Sequence, residues 1–139
     1  MPHEALNISA SALSAQRTRL NVIAENLANA NTTKTLQGGP YRRRVTQLES
    51  EAPAFASLLP DHTGLRGVKV TGVVQLPETR RAFMPGHPDA DHDGYVEMPN
   101  INPVMEMADM MTATRAYEAN VSAIQAMKSM AQKALELGR

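Results

Sequence analysis

Cysteine is absent from this 139-residue chain, which excludes disulfides, thiolate metal sites and a cysteine nucleophile. Tryptophan is absent too, and two Phe and three Tyr leave few large rings to anchor a thick globular core. There is no net charge, since 14 Lys and Arg balance 14 Asp and Glu. Long-range attraction to nucleic acid or to an anionic membrane is therefore not expected. No apolar run approaches the roughly 20 residues of a membrane span, so no direct membrane insertion is expected either. Met1-Pro2-His3-Glu4 lacks a basic n-region and an apolar h-region, so no cleaved secretion signal is expected. The chain has no phosphate loop, nucleophile motif or Gly-rich strand-to-helix turn. Catalytic residues and cofactors are accordingly expected to be none, and the chain is not expected to be an enzyme.

Alanine and methionine, concentrated towards the two ends, are plentiful. Leu6, Leu13, Leu20 and Leu27 recur at intervals of seven, with Ala10, Ile23 and Ala24 between them, which predicts an amphipathic helix over residues 3–28. It should end around Asn29-Ala30-Asn31-Thr32-Thr33, where Asn tolerates a left-handed backbone and adjacent Thr residues disfavour helix. A longer helix is predicted from Asn100 to Leu137. Asn102 and Pro103 form its start signal and Gly138 its stop. Along it Met107, Met110, Thr114, Tyr117, Val121, Ile124, Lys128, Ala131 and Leu135 follow in steps of three and four, a heptad seam interrupted by Thr114 and Lys128. Such a helix is roughly 50 Å long at 1.5 Å per residue, so it needs a long partner, and the first helix supplies one.

Between the helices the chain reads as β-rich. Gln37-Gly38-Gly39-Pro40 is a turn, and Tyr41 to Leu48 is extended, with Arg42, Arg43 and Arg44 divided between two faces. Residues 49–66 read as loop around a small cluster of Phe55, Leu58 and Leu59, because Pro53 and Pro60 interrupt any long element. Val68 to Leu76 is the best strand signal, bent or bulged at Gly72. Gly94 to Met98 is a short strand leading into the long helix. The expected fold is α+β: an N-terminal coiled-coil helix (1–33), a β-rich middle (34–99) and a C-terminal coiled-coil helix (100–139), the two helices pairing antiparallel.

Asp89-Ala90-Asp91-His92-Asp93-Gly94 matches the first half of an EF-hand loop, but Asn100 stands where the closing bidentate Glu belongs. A solvated Asp/Gly turn is the better reading, and His62, His87 and His92 read as surface histidines without ligand spacing. The Arg triplet reads as a charged strand edge rather than a phosphate contact. Met105, Met107, Met110, Met111, Met127 and Met130 offer either helix packing or an adaptable partner surface. On the residues alone, a polymerising subunit and a non-polymerising helical-hairpin adaptor both remain open.

Asn26-Leu27-Ala28-Asn29-Ala30-Asn31-Thr32-Thr33 after the leucine heptad resembles the N-terminal signature of flagellar axial proteins. Glu106-Met107-Ala108-Asp109-Met110-Met111 and Arg115-Ala116-Tyr117-Glu118-Ala119-Asn120 resemble the C-terminal one. Gly38-Gly39-Pro40-Tyr41-Arg42-Arg43, Pro85 to Asp91, Gly94-Tyr95-Val96 and Pro99-Asn100-Ile101-Asn102 resemble the basal-body rod members of that family. The resemblance implies a structural subunit of the proximal rod, which crosses the periplasm and transmits torque, assembling helically through its terminal helices. It also implies export by the flagellar type III apparatus without a cleaved signal. The partners would be further copies and other rod subunits (FlgB, FlgF, FlgG and FliE-like), with no nucleic acid. The expected interface comprises Leu6, Leu13, Leu20, Leu27, Asn29, Met107, Met110, Met111, Arg115, Tyr117, Glu118, Asn120, Val121, Ile124 and Leu135. Within it Tyr117 fills the seam while Arg115, Glu118 and Asn120 fix register.

Overall fold

A computed structural model describes residues 2–51 and 66–137. The expected apolar cluster of Phe55, Leu58 and Leu59, together with Pro53, Pro60, His62 and Gly138, lies outside these residues. Among the described residues two helices, α1 (Pro2–Ala28) and α2 (Pro103–Leu137), enclose four strands in chain order, β1 (Arg44–Glu51), β2 (Gly67–Gln75), β3 (Thr79–Phe83) and β4 (Tyr95–Pro99). The start signal of α2 acts as expected. Asn102 Oδ1 accepts the Val104 N–H at 3.0 Å and its carbonyl accepts the Glu106 N–H at 3.0 Å, an N-cap with Pro103 at the position where a missing donor costs nothing.

The helices run antiparallel. Asn26 near the end of α1 bonds Glu106 near the start of α2, and Arg19, two turns earlier, approaches Asp109 at 4.0 Å. Ala15, Val22 and Ile23 of α1 and Ala113 of α2 are buried. The α2 face towards α1 is turned by about one residue from the expected seam. Ala113 is buried and Met127 half-buried, whereas Thr114 and Lys128 are exposed. Met110, Tyr117, Val121 and Ile124 remain on the half-buried side. The rotation removes both polar interruptions and puts the smallest side chain where the helices come closest, which is the packing that hydrophobic burial favours.

Each pair of strands forms its own two-stranded antiparallel sheet, an arrangement that is marginal without a helix to lie on. The β1–β2 hairpin lies along α1. At one end Asn26 binds the backbone of Arg44, and at the other Ser11 Oγ accepts the Val68 N–H at 3.2 Å. A Cβ at Gly67 would sit 3.2 Å from that oxygen, so only glycine lets the strand approach without displacing the hydroxyl. The expected irregularity is a bulge in which Gln47 pairs with Gly72 and Leu48 with Val70, leaving Thr71 unpaired. The first strand begins three residues later than its sequence pattern suggests, because Tyr41 and Arg43 are directed to side-chain contacts near Asn26.

The β3–β4 hairpin was half-legible: β4 is close to expectation, whereas β3 is new. Its inner positions Val96 and Met98 are buried, and Phe83 packs edge-on to Tyr95 on the outer face with ring centroids 5.2 Å apart. Thr33 Oγ1 donates to Asp89 Oδ2 at 2.8 Å, tying the hairpin to the segment that follows α1. An open cleft of about 540 Å³ lies between them, lined by Lys34, Pro40, Arg81, Asp89, Asp91 and Glu97 among others.

Candidate assembly interface

The side of α2 turned away from α1 is apolar over its first turns. Val104, Met105, Met107 and Met111 are exposed there, Val104 to 72%. Every residue from Lys128 to Leu137 is exposed as well, and this stretch carries Met130, Leu135 and Leu137. Leucine and methionine in such numbers on one helix are more than scattered exposure normally supplies, and Met adapts its shape to what it meets.

Of the expected interface residues, Met107, Met111, Arg115, Glu118 and Leu135 are exposed. Leu6, Leu13, Leu20, Leu27, Asn29, Met110, Tyr117, Asn120, Val121 and Ile124 are half-buried, in or beside the contacts the chain makes with itself. Two amides turn inward on their own backbone: Asn29 Nδ2 donates to the Glu25 carbonyl and Asn120 Nδ2 to the Ala116 carbonyl, each at 2.9 Å. No ion pair joins Arg115 to Glu118 among the described residues.

A polar cluster that hydrophobic patterning does not reveal sits where α1, α2 and the start of β1 meet. Glu106 and Asn26 are each 1% exposed. Arg43 Nε donates to Glu106 Oε1 at 2.7 Å and Asn26 Nδ2 to Glu106 Oε2 at 3.2 Å. The same amide donates to the Arg44 carbonyl at 2.8 Å, while Asn26 Oδ1 accepts the Arg44 N–H at 2.9 Å and the Tyr41 hydroxyl at 3.2 Å. Burial pushes the Tyr41 phenol pKa up, with the Arg44 guanidinium pulling the other way. The Arg triplet is thus mostly structural: Arg43 enters this cluster, Arg44 pairs with Glu25 at 3.1 Å, and Arg42 is exposed. A charged residue within an otherwise apolar heptad was the available signal, but a 3.6-residue pattern counts Glu106 as surface.

In the Asp-rich loop the carboxylates serve the turn. Asp91 Oδ1 accepts the Tyr95 N–H at 2.8 Å and the Asp93 N–H at 3.0 Å, and its Oδ2 pairs with Arg81 at 2.7 Å. Those bonds, the Tyr95 N–H first, hold the carboxyl below the usual carboxylate range. Gly94 closes the loop with φ +80°, where a Cβ would also meet Phe83 at 3.0 Å. Among the described residues no three acidic or histidine side chains are placed to hold a metal ion, and no helix is long and apolar enough to cross a membrane.

Residues 6–34 match the family described as flagella basal body rod protein, and residues 92–137 match the C-terminal family of flagellar basal body rod FlgEFG proteins. The chain is 42% identical over 144 aligned residues to the flagellar basal-body rod protein FlgC of Bacillus subtilis, covering 96% of each. It is 43% identical to FlgC of Salmonella typhimurium over 96% of this chain and 95% of that one. For FlgC of Borreliella burgdorferi the identity is 40%, over 95% and 94%.

Proposed function

The chain belongs to the flagellar basal-body rod proteins and is a structural subunit of that rod, and on that premise we propose that it polymerises helically through its terminal helices as a torque-transmitting element of the proximal rod. The observation that carries the reading is the apolar, methionine-rich surface of α2, from Val104 to Met111 and again from Met130 to Leu137, left exposed on a chain whose helices already pair. Heterologous contacts, in which one surface of a subunit meets a different surface of the next, generate a filament when they do not close. Torque can pass through many such contacts with no catalytic group. Residues 1–33 and 100–139 make the axial helical part and residues 34–99 the outer part. The neighbours are further copies and the FlgB, FlgF, FlgG and FliE-like subunits. The route is the flagellar type III apparatus without a cleaved signal, and the place is the rod segment in the periplasm.

The test is a pair of substitutions, Met107→Glu and Met111→Glu, made together in the full chain. They should leave the melting of the isolated chain within about 0.5 kcal/mol, as exposed positions do, and abolish its incorporation into basal bodies seen by electron microscopy. Normal incorporation would reject this surface as the interface. A single discrete complex with one partner, with no axial polymer, would favour the adaptor reading.

A further inference from the structure

The leucine track of the helix pair discriminates poorly between registers. Leu6, Leu13, Leu20 and Leu27, all half-buried, present the same side chain every seven residues, and the half-buried Met110 and Met127 of α2 adapt to what they meet. Sliding one helix by a heptad, about 10 Å at 1.5 Å per residue, brings leucine back to where leucine was. Ala15, Val22 and Ile23 on α1 and Ala113, Tyr117, Val121 and Ile124 on α2 favour one alignment by size and shape alone. Gln16, another part-buried polar residue on α1, has a buried Oε1 with no partner among the described residues, so it favours no alignment. The contacts of Asp109 with Arg19 and Arg43, at 4.0 and 3.8 Å, join side chains at least 31% exposed and are screened by water. The polar contact between the helices that is both buried and specific to one alignment is the cluster around Glu106.

We infer that Asn26, Arg43 and Glu106 fix the register of the helix pairing, penalising alignments other than the one observed. Glu106 finds its charge partner on the segment between α1 and β1, and its amide partner on α1. Asn26 in turn is held by both backbone groups of Arg44 and by Tyr41. Displacement by one heptad in either direction takes a buried carboxylate away from its guanidinium and its amide. That is the arrangement by which a buried polar group penalises alternatives that apolar packing would accept.

The absence of cysteine makes the test direct. Spin labels on Arg17→Cys and Gln125→Cys, both exposed positions, report the axial alignment of the helices by pulsed electron resonance in the full chain. The unaltered cluster should give one narrow distance. Asn26→Leu combined with Glu106→Met should give a second population shifted by up to about 10 Å, one heptad of rise, while the variant still melts cooperatively. Val22→Ala, which removes buried apolar volume without touching the cluster, should lower the melting temperature and keep the single distance. A single parental distance in the folded double variant overturns the inference, as does a second register in Val22→Ala. Should the double variant fail to fold, Glu106→Gln replaces it. That change keeps the shape and removes the charge that Arg43 meets, and a single distance there overturns the inference equally.

Discussion

The two partners of a buried ion pair are not equivalent when one of them can reach water. Arg43 has 31% of its side chain exposed and Glu106 only 2%. Removing Glu106 lets the guanidinium turn outward or towards Asp109, whereas removing Arg43 leaves a carboxylate where water does not reach, with a single amide for company. Arg43→Ala is therefore expected to cost more than Glu106→Ala. The first should fall within the roughly 3–5 kcal/mol typical of a broken buried pair and the second at or below its lower edge. Urea melts of the two variants decide the order, and equal losses would mean that the carboxylate is not left stranded when Arg43 is removed. Ala113, with no exposed surface, makes the complementary case. Ala113→Leu should cost about 1–3 kcal/mol by overpacking, whereas Thr114→Leu, one residue away on the exposed side, should change the same melt by less than about 0.5 kcal/mol.

Among the elements, those marked by local chemistry were legible in advance and those defined by contact were not. The N-cap of α2 could be read from Asn102 and Pro103 because the capping bond is made within two residues. Asn102→Ala should cost about 0.5–2 kcal/mol, measured by thermal melting. The bulge beside Gly72 and the strand before Pro99 were marked by β-branched runs and by a glycine. By contrast β3, Thr-Arg-Arg-Ala-Phe, is stabilised by its pairing with β4 and carries no propensity signal of its own. The facing side of α2 was misplaced by one residue for a related reason. Two tracks of three-and-four spacing share Met110, Tyr117 and Ile124, and the one containing Met107 looks more apolar because Glu106 hides in the other. The turn before β4 offers a pH test. Asp91 has its pKa lowered, so its support is fully present above the ordinary carboxylate value near 3.9 and is lost as pH falls through the lower folded value. The protection of the Tyr95 and Asp93 amides relative to their intrinsic exchange rates should therefore fall only below about pH 4. Asp91→Asn should remove that dependence, and its persistence would assign the titration to another group.

At the scale of the whole molecule, the helices are unequally supported. α1 is flanked by α2 on one side and by the β1–β2 hairpin on another, as its bonds through Asn26 and Ser11 show. α2 is buried or half-buried in places up to Met127 and exposed at every residue beyond it. A stretch of that length, with no face packed, is too short to hold a helix by propensity alone, since isolated helices under about 12–15 residues are marginal in water. Ordering on assembly is therefore expected of this last segment. In the isolated chain, amides of residues 128–137 should exchange close to the rate of unstructured peptide, while those of 106–127 and of α1 are protected. In the rod they should be protected too, because burying Leu135 and Leu137, now 76% and 89% exposed, gains about 1.5–3 kcal/mol for each leucine. Against that gain stands backbone ordering of about 1–2 kcal/mol per residue that was frayed. Neither term dominates for a single subunit, so the segment should order only where several neighbours contribute contacts at once. Leu135→Asp separates folding from assembly. It should leave the melting of the isolated chain unchanged within about 0.5 kcal/mol and sharply reduce incorporation into rods. If the variant incorporates normally, or if 128–137 are already protected in the isolated chain, the terminal turns of α2 are not the part that assembly completes.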